Sequence, residues 1–190
     1  ISECLVGSEM CIRDRCYTIE KEGELMNMEN ALPRRKAAFC PVQVTPRRAR
    51  VREKDRDPYD GLRPILTRWK QEGGLLCVSS HSARENILRD YRLHFGLEPD
   101  QIFDWDLGED RRKPSPYALQ EIMRLYDLRP DELLMVDDLK PGYDMAHACG
   151  VPFACAGWSH DDPEIRAFLR RFSDFYLETV QELEPLLFGA

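Results

Sequence analysis

The sequence predicts an α/β protein with a parallel sheet and helices packed on its faces. Two observations predict it. From Pro58 onward, helical and strand-like patterns alternate with short polar breaks, as in chains built from βα units. The polar residues able to do chemistry fall just past the C-terminal ends of the strand-like runs, the edge at which open parallel sheets bind ligands.

Each element follows from its local pattern. Gly61 to Gln71 (GLRPILTRWKQ) places Leu62, Ile65, Leu66 and Trp69 at helical spacing, and Gly73-Gly74 stop it. Leu75 to Ser79 is an apolar run of strand length. Ala83 to Phe95 reads as a helix with Ile87, Leu88, Tyr91 and Phe95 on one side, ended by Gly96. Ile102 to Trp105 is the second strand. Pro116 to Tyr126 is a helix whose buried stripe is Leu119, Ile122, Met123 and Tyr126. Leu133 to Val136 is the third strand, Tyr143 to Cys149 a helix closed by Gly150, and Phe153 to Ala156 the fourth strand. Asp162 caps a helix that has Pro163 at its first position. A strand over Phe175 to Leu177 and a helix from Val180 to Leu187 complete the pattern.

Composition narrows the function. The chain has 190 residues, 43% of them hydrophobic and 32% charged, which describes an ordinary globular protein large enough for one well-buried domain. No run of about 18 apolar residues predicts a membrane span, and no secretory signal pattern is present. A cytosolic location is expected. The net charge of −7 is concentrated after residue 57, and an acidic body argues against a nucleic-acid partner. The arginine-rich stretch from Pro46 to Arg56 is broken by acidic residues and reads as a solvated segment. Seven cysteines fit no disulfide framework. Cys77, Cys149 and Cys155 lie in or beside apolar segments and are expected to be buried and inert. Cys4, Cys11, Cys16 and Cys40 lack the paired spacing of a zinc site.

Three motifs remain. In VSSHS, Val78 to Ser82, a hydroxyl at a strand end precedes the free backbone N–H groups of a helix start, a good phosphate cradle. Its plain alternative is a helix cap by Ser82. In RRKPSP, Arg111 to Pro116, two prolines stiffen the loop that presents Lys113, whose ammonium can neutralise a phosphoryl group. In MVDDLKPG, Met135 to Gly142, the adjacent carboxylates of Asp137 and Asp138 follow an apolar strand. Bringing them together is unfavourable without a cation, and hard oxygen ligands suit Mg²⁺. Taken singly, each motif also reads as a loop or cap.

Serine after the first strand, lysine before a helix and a carboxylate pair after a later strand stand in a fixed order. In that order the chain resembles the haloacid dehalogenase-like (HAD) hydrolases, in particular the phosphoglycolate phosphatase and β-phosphoglucomutase type. The resemblance covers about residues 58 to 190 and includes PYDGLRPIL, AHACGVPFACAGW and SDFYLETVQELEPLLF. It implies a three-layer Rossmann-like core and Mg²⁺-dependent hydrolysis of a small phosphorylated metabolite through an aspartyl-phosphate. It also implies that Ser80, or Ser79 if the strand ends one residue earlier, binds the phosphoryl group. Lys113 would balance its charge and that of the nucleophile, and Asp137 and Asp138 would hold Mg²⁺ directly or through water.

One departure stands out. The family's first motif, an apolar strand ending in DxDxT or DxDGT, has no match. Asp55-Arg56-Asp57 follows charged residues and directly precedes the entry helix, so it is rejected as the catalytic pair. In the family that strand lies mid-sheet. Only Ala37 to Val44 (AAFCPVQV) could replace it, and Pro41 interrupts the run, so the slot is expected to be empty or poorly filled. A second function class therefore stays open: a catalytically inactive phosphate-binding or interaction module with the same fold. A receiver-type domain is disfavoured because its acidic pair comes first in the chain, and a dinucleotide-binding fold because no GxGxxG follows a strand.

The N-terminal stretch CLVGSEMCIRDRC, Cys4 to Cys16, resembles the translation of a transposon-based sequencing-library adapter over Leu5 to Arg15. Residues 1 to 15 are excluded from fold reasoning. The expected organisation is 1–15 adapter-derived, 16–57 an unassigned stretch in the place of a cap, and 58–190 the hydrolase core. A join to adapter sequence downstream of the first motif would account for the missing nucleophile.

Overall fold

The computed structural model describes residues 39–40, 61–159 and 161–189, all in one compact unit spanning 31–190. The expectations for residues 1–15, most of 16–57, Asp55 and Asp57 lie outside the described residues.

Six strands are described. They are β1 (Phe39–Cys40), β2 (Cys77–Ser79), β3 (Gln101–Phe103), β4 (Leu134–Asp137), β5 (Phe153–Ala156) and β6 (Phe175–Leu177). Every pairing is parallel, in a four-stranded piece ordered β1-β4-β5-β6 and a two-stranded piece β2-β3. β1 is hydrogen-bonded to β4 and also lies against β2, so the two pieces meet at it. Of the run from Ala37 to Val44, Phe39 and Cys40 are described, and they pair with β4; the rest of the run lies outside the described residues.

Six helices connect the strands: α1 (Leu62–Gln71), α2 (Arg84–Asp90, continued by a π-helical turn, Tyr91–Phe95), α3 (Tyr117–Tyr126), α4 (Lys140–Cys149), α5 (Pro163–Phe172) and α6 (Leu183–Phe188). α1 buries Leu62, Ile65, Leu66 and Trp69, the four residues its spacing marks. It ends where Gly73 takes a positive φ of 85°. Gly74 is fixed by packing, since a Cβ there would sit 2.1 Å from the Trp69 indole. α5 begins at the Asp162 cap, whose carboxylate accepts the N–H groups of Glu164 and Ile165. The core is continuous through both pieces of the sheet, with Val78, Ile102, Leu134, Met135, Val136, Phe153 and Ala154 buried beneath the helices.

The structure corrects several boundaries. Trp105 is not in a strand: it opens a 3₁₀ turn, Trp105–Leu107, capped by Asp104, and its side chain is 53% exposed. Ser82 does not cap α2. The N-cap is Ala83, and the Ser82 N–H is taken by Ser80 Oγ. α4 starts at Lys140, three residues earlier than the pattern suggests, because proline is tolerated in a first turn whose N–H groups need no helical partner. The last helix is a 3₁₀ turn, Val180–Glu182, followed by α6. Met123 and Tyr126 are half-buried rather than fully covered, as is Cys149, while Cys77 and Cys155 are buried.

Candidate active site

Among the described residues, four polar side chains are buried: Ser79, Ser80, Asp104 and Asp137. All four stand at or one residue beyond the C-terminal end of a strand. Burying polar groups is unfavourable unless they are satisfied, so their clustering at one sheet edge marks where the fold tolerates that cost.

β2 ends at Ser79, which leaves Ser80 as the first residue past the strand. The Ser80 N–H donates to Phe103 O at 2.9 Å, holding the turn against β3, and its Oγ accepts from Ser82 N at 3.0 Å. The next residue, His81, contacts the Lys113 carbonyl through Nε2 at 3.2 Å. This ties the loop after β2 to the loop that carries Lys113. Burial and the neighbouring Lys113 and Arg112 charges hold the His81 imidazole below its usual pKa, so near neutral pH its Nε2–H can donate to that carbonyl.

Lys113 precedes Pro114 in the non-helical approach to α3. Its ammonium donates to Asp137 Oδ2 at 2.5 Å, and the two side chains are only 9% and 4% exposed. The other lysine near the acidic pair, Lys140, is bound to Asp144 one helical turn away. Of these two lysines, Lys113 is therefore the one held against the acidic pair.

Asp137 is the last residue of β4. Its Oδ1 accepts the N–H groups of Asp138 (2.8 Å) and Leu139 (3.1 Å), and its Oδ2 accepts from Lys113. Gly142 makes this arrangement possible: a Cβ there would lie 2.5 Å from the Asp137 carboxyl. Asp138 follows with fewer compensations. Its Oδ2 accepts from Ser159 Oγ at 2.8 Å. Burial and the adjacent Asp137 charge push its pKa up to about 6. A carboxylate pair with one member charge-neutralised by lysine and the other destabilised by burial fits a hard divalent cation, which would relieve Asp138 directly. Among the described residues there is no group of three His, Cys, Asp or Glu side chains that could hold a metal, so these two carboxylates are the described acidic donors to consider.

Lys113 and Asp137 are thus in direct contact, with Asp138 next in the chain. Ser79 and Ser80 lie at the end of β2, linked to Lys113 through His81. Sequence reasoning missed Ser159, Gly142 and the buried Asp104, whose carboxylate is paired with Arg84 Nε at 2.8 Å. Gly142 had a signal, as the small residue in DDLKPG beside the acidic pair. Ser159 is 21 residues from Asp138 and had none. No described helix is long and apolar enough to cross a membrane.

Comparison with known proteins bears on the family and the fold. The model of the haloacid dehalogenase-like hydrolases matches residues 18–150, starting well before the boundary expected at residue 58. The chain is 30% identical over 138 residues to a phosphoglycolate phosphatase of Mesorhizobium japonicum, covering 70% of this chain and 60% of that protein. It is 26% identical over 135 residues to the pyrophosphatase PpaX of Bacillus thuringiensis, covering 69% and 60%. It therefore spans about 60% of the length of these curated relatives. Among solved structures, a mutant of CbbY from Rhodobacter sphaeroides in complex with xylulose-1,5-bisphosphate superposes with a TM-score of 0.55 at 22% identity, over 66% of this chain and 55% of that one. The NMR structure of a core domain from Streptococcus pneumoniae gives 0.56 at 16% identity, over 80% and 95%. The chain belongs to the haloacid dehalogenase-like hydrolase family.

Proposed function

We propose that residues 58–190 are the core of a cytosolic Mg²⁺-dependent phosphatase acting on a small phosphomonoester. The reading rests on one observation above others: the buried polar residues of the described chain gather at the C-terminal edge of the sheet, with Lys113 bound to Asp137 beside Asp138. In this reading Ser80 donates its hydroxyl to a phosphoryl oxygen, with Ser79 completing the turn. Lys113 supplies a fixed positive charge to the phosphoryl group. Asp138 is the direct cation ligand, and Asp137, with both oxygens engaged, acts on the cation through water while orienting Lys113. Bound Mg²⁺ would neutralise phosphoryl charge as it develops. Catalysis of this kind depends mainly on positioning and charge stabilisation.

The chemistry is transfer of the phosphoryl group to an aspartate carboxylate, breaking the ester P–O bond and forming an acyl phosphate, followed by hydrolysis with water. The leaving alkoxide takes up a proton. No Asp in the sequence stands in the first-motif pattern that would supply this nucleophile. That specific absence favours a second reading, in which the chain binds phosphate and cation without turnover.

Turnover of p-nitrophenyl phosphate with Mg²⁺ separates the two. Hydrolysis that is abolished by Asp138→Asn supports the phosphatase. Mg²⁺-dependent binding of inorganic phosphate without hydrolysis supports the binding module. Neither binding nor hydrolysis contradicts both.

A further inference from the structure

The described arginines are mostly committed to carboxylates: Arg68, Arg84, Arg89, Arg92, Arg124, Arg129, Arg166 and Arg170 all form ion pairs. Arg111, Arg112 and Arg171 lie instead over aromatic rings, and of these Arg112 stands immediately before Lys113. Among the described residues no carboxylate pairs with it. Its guanidinium carbon lies 3.6 Å from the centroid of the Trp105 ring. Stacking on an aromatic face fixes the plane of a guanidinium while leaving its N–H edge available for an anion.

Trp105 is a poor candidate for a core residue. More than half of its side chain is exposed, and the 3₁₀ turn that carries it buries nothing. Yet it is firmly placed. Its backbone N–H donates to Ser82 O at 3.1 Å, its ring meets His81 edge-on with centroids 6.3 Å apart, and the preceding Asp104 is buried against Arg84. The loop after β2 and the two ends of the β3–α3 connection thereby meet around one exposed indole. More than half exposed to water, this indole has its described ring contacts with His81 and with Arg112, the residue before Lys113.

We propose that Arg112, held on the Trp105 face, is a specificity-determining residue that binds a second anionic group of the substrate, a carboxylate or a second phosphate, next to the phosphoryl group held by Lys113. The inference rests on the phosphate-binding reading of Ser80 and Lys113. The guanidinium edge accepts a planar or tetrahedral anion through paired N–H donors, while the alcohol portion of the substrate lies along the indole. Phosphomonoesters with an uncharged tail use the Lys113 side alone.

Binding of non-hydrolysable probes to the full chain with Mg²⁺, measured by calorimetry, tests this. The probes are propylphosphonate, phosphonoacetate and 3-phosphonopropionate. At least one carboxylated probe is expected to bind about tenfold more tightly than propylphosphonate. Arg112→Gln should remove that advantage while leaving propylphosphonate affinity within about twofold. Trp105→Leu should reduce the advantage and Trp105→Phe preserve most of it. Equal affinities for all three probes in the unaltered chain, or an advantage that survives Arg112→Gln, would overturn the subsite and leave the phosphate-binding reading standing. Failure to bind any of the probes would overturn both.

Discussion

The Lys113 ammonium and the Asp137 carboxylate meet at 2.5 Å across 24 residues of sequence, both nearly excluded from solvent. This contact joins the loop before α3 to the end of β4. A buried ion pair of this kind contributes little net stability compared with an apolar pair, but removing one partner leaves an uncompensated charge. Its presence at a ligand-binding sheet edge is more readily explained by chemistry than by stability.

Lys113→Met is therefore expected to lower stability by about 3–5 kcal/mol, read by urea denaturation. Phosphate binding should be lost as well. The double variant Lys113→Met with Asp137→Asn should recover part of the stability and none of the binding.

Asp138 carries the opposite lesson. Its pKa in the folded chain is raised to about 6 by burial and by Asp137, above the value in an unfolded chain. The stability linked to this group is fully present below the unfolded pKa and is lost as pH rises through about 6. In metal-free buffer, Asp138→Asn should thus be more stable than the parent at pH 7.5 by on the order of 1–3 kcal/mol, with the difference vanishing near pH 4. Thermal melts across this range check it. Added Mg²⁺ should raise the melting temperature of the parent and not of the variant.

Gly142→Ala places a methyl group 2.5 Å from the Asp137 carboxyl. Either α4 or Asp137 must move. A stability loss of about 1–3 kcal/mol is expected, with weakened Mg²⁺ binding by calorimetry. A substitution of the same kind at Gly96, where no atom lies within 4 Å, should leave Mg²⁺ affinity unchanged although its positive φ is strained.

Ser159 donates to Asp138 Oδ2 at 2.8 Å and so fixes one oxygen of the candidate cation ligand. Partners of metal-binding carboxylates commonly alter affinity when removed. Ser159→Ala should weaken Mg²⁺ binding by about tenfold, and Ser159→Thr should retain most of it.

Much of this architecture is legible from local pattern. Leu62, Ile65, Leu66 and Trp69 are buried because their spacing puts them on one helical face, and Asp162 caps α5 because an acidic side chain before proline suits a helix start. Ser80, Asp137 and Asp138 stand where apolar runs stop, so the ends of β2 and β4 are visible in the sequence, and Lys113 is marked by the prolines that precede α3. The rest was set by tertiary contacts. Trp105 looked like the end of an apolar strand, but the cap by Asp104 turns the chain after Phe103 and leaves the indole outside. Ser82 had the chemistry of a cap, but Ser80 Oγ accepts its N–H and Ala83 occupies the cap position instead. Ser159 reaches Asp138 only because β4 and β5 are neighbours in the sheet, which no local pattern encodes.

The central claim is that Ser80, Lys113, Asp137 and Asp138 form a phosphate- and cation-binding site. Calorimetric titration of inorganic phosphate into the chain, with and without Mg²⁺, tests it most directly. The account predicts Mg²⁺-dependent binding that is lost in both Lys113→Met and Asp138→Asn. Absence of Mg²⁺-dependent binding in the unaltered chain, or binding that persists in both variants, would contradict it.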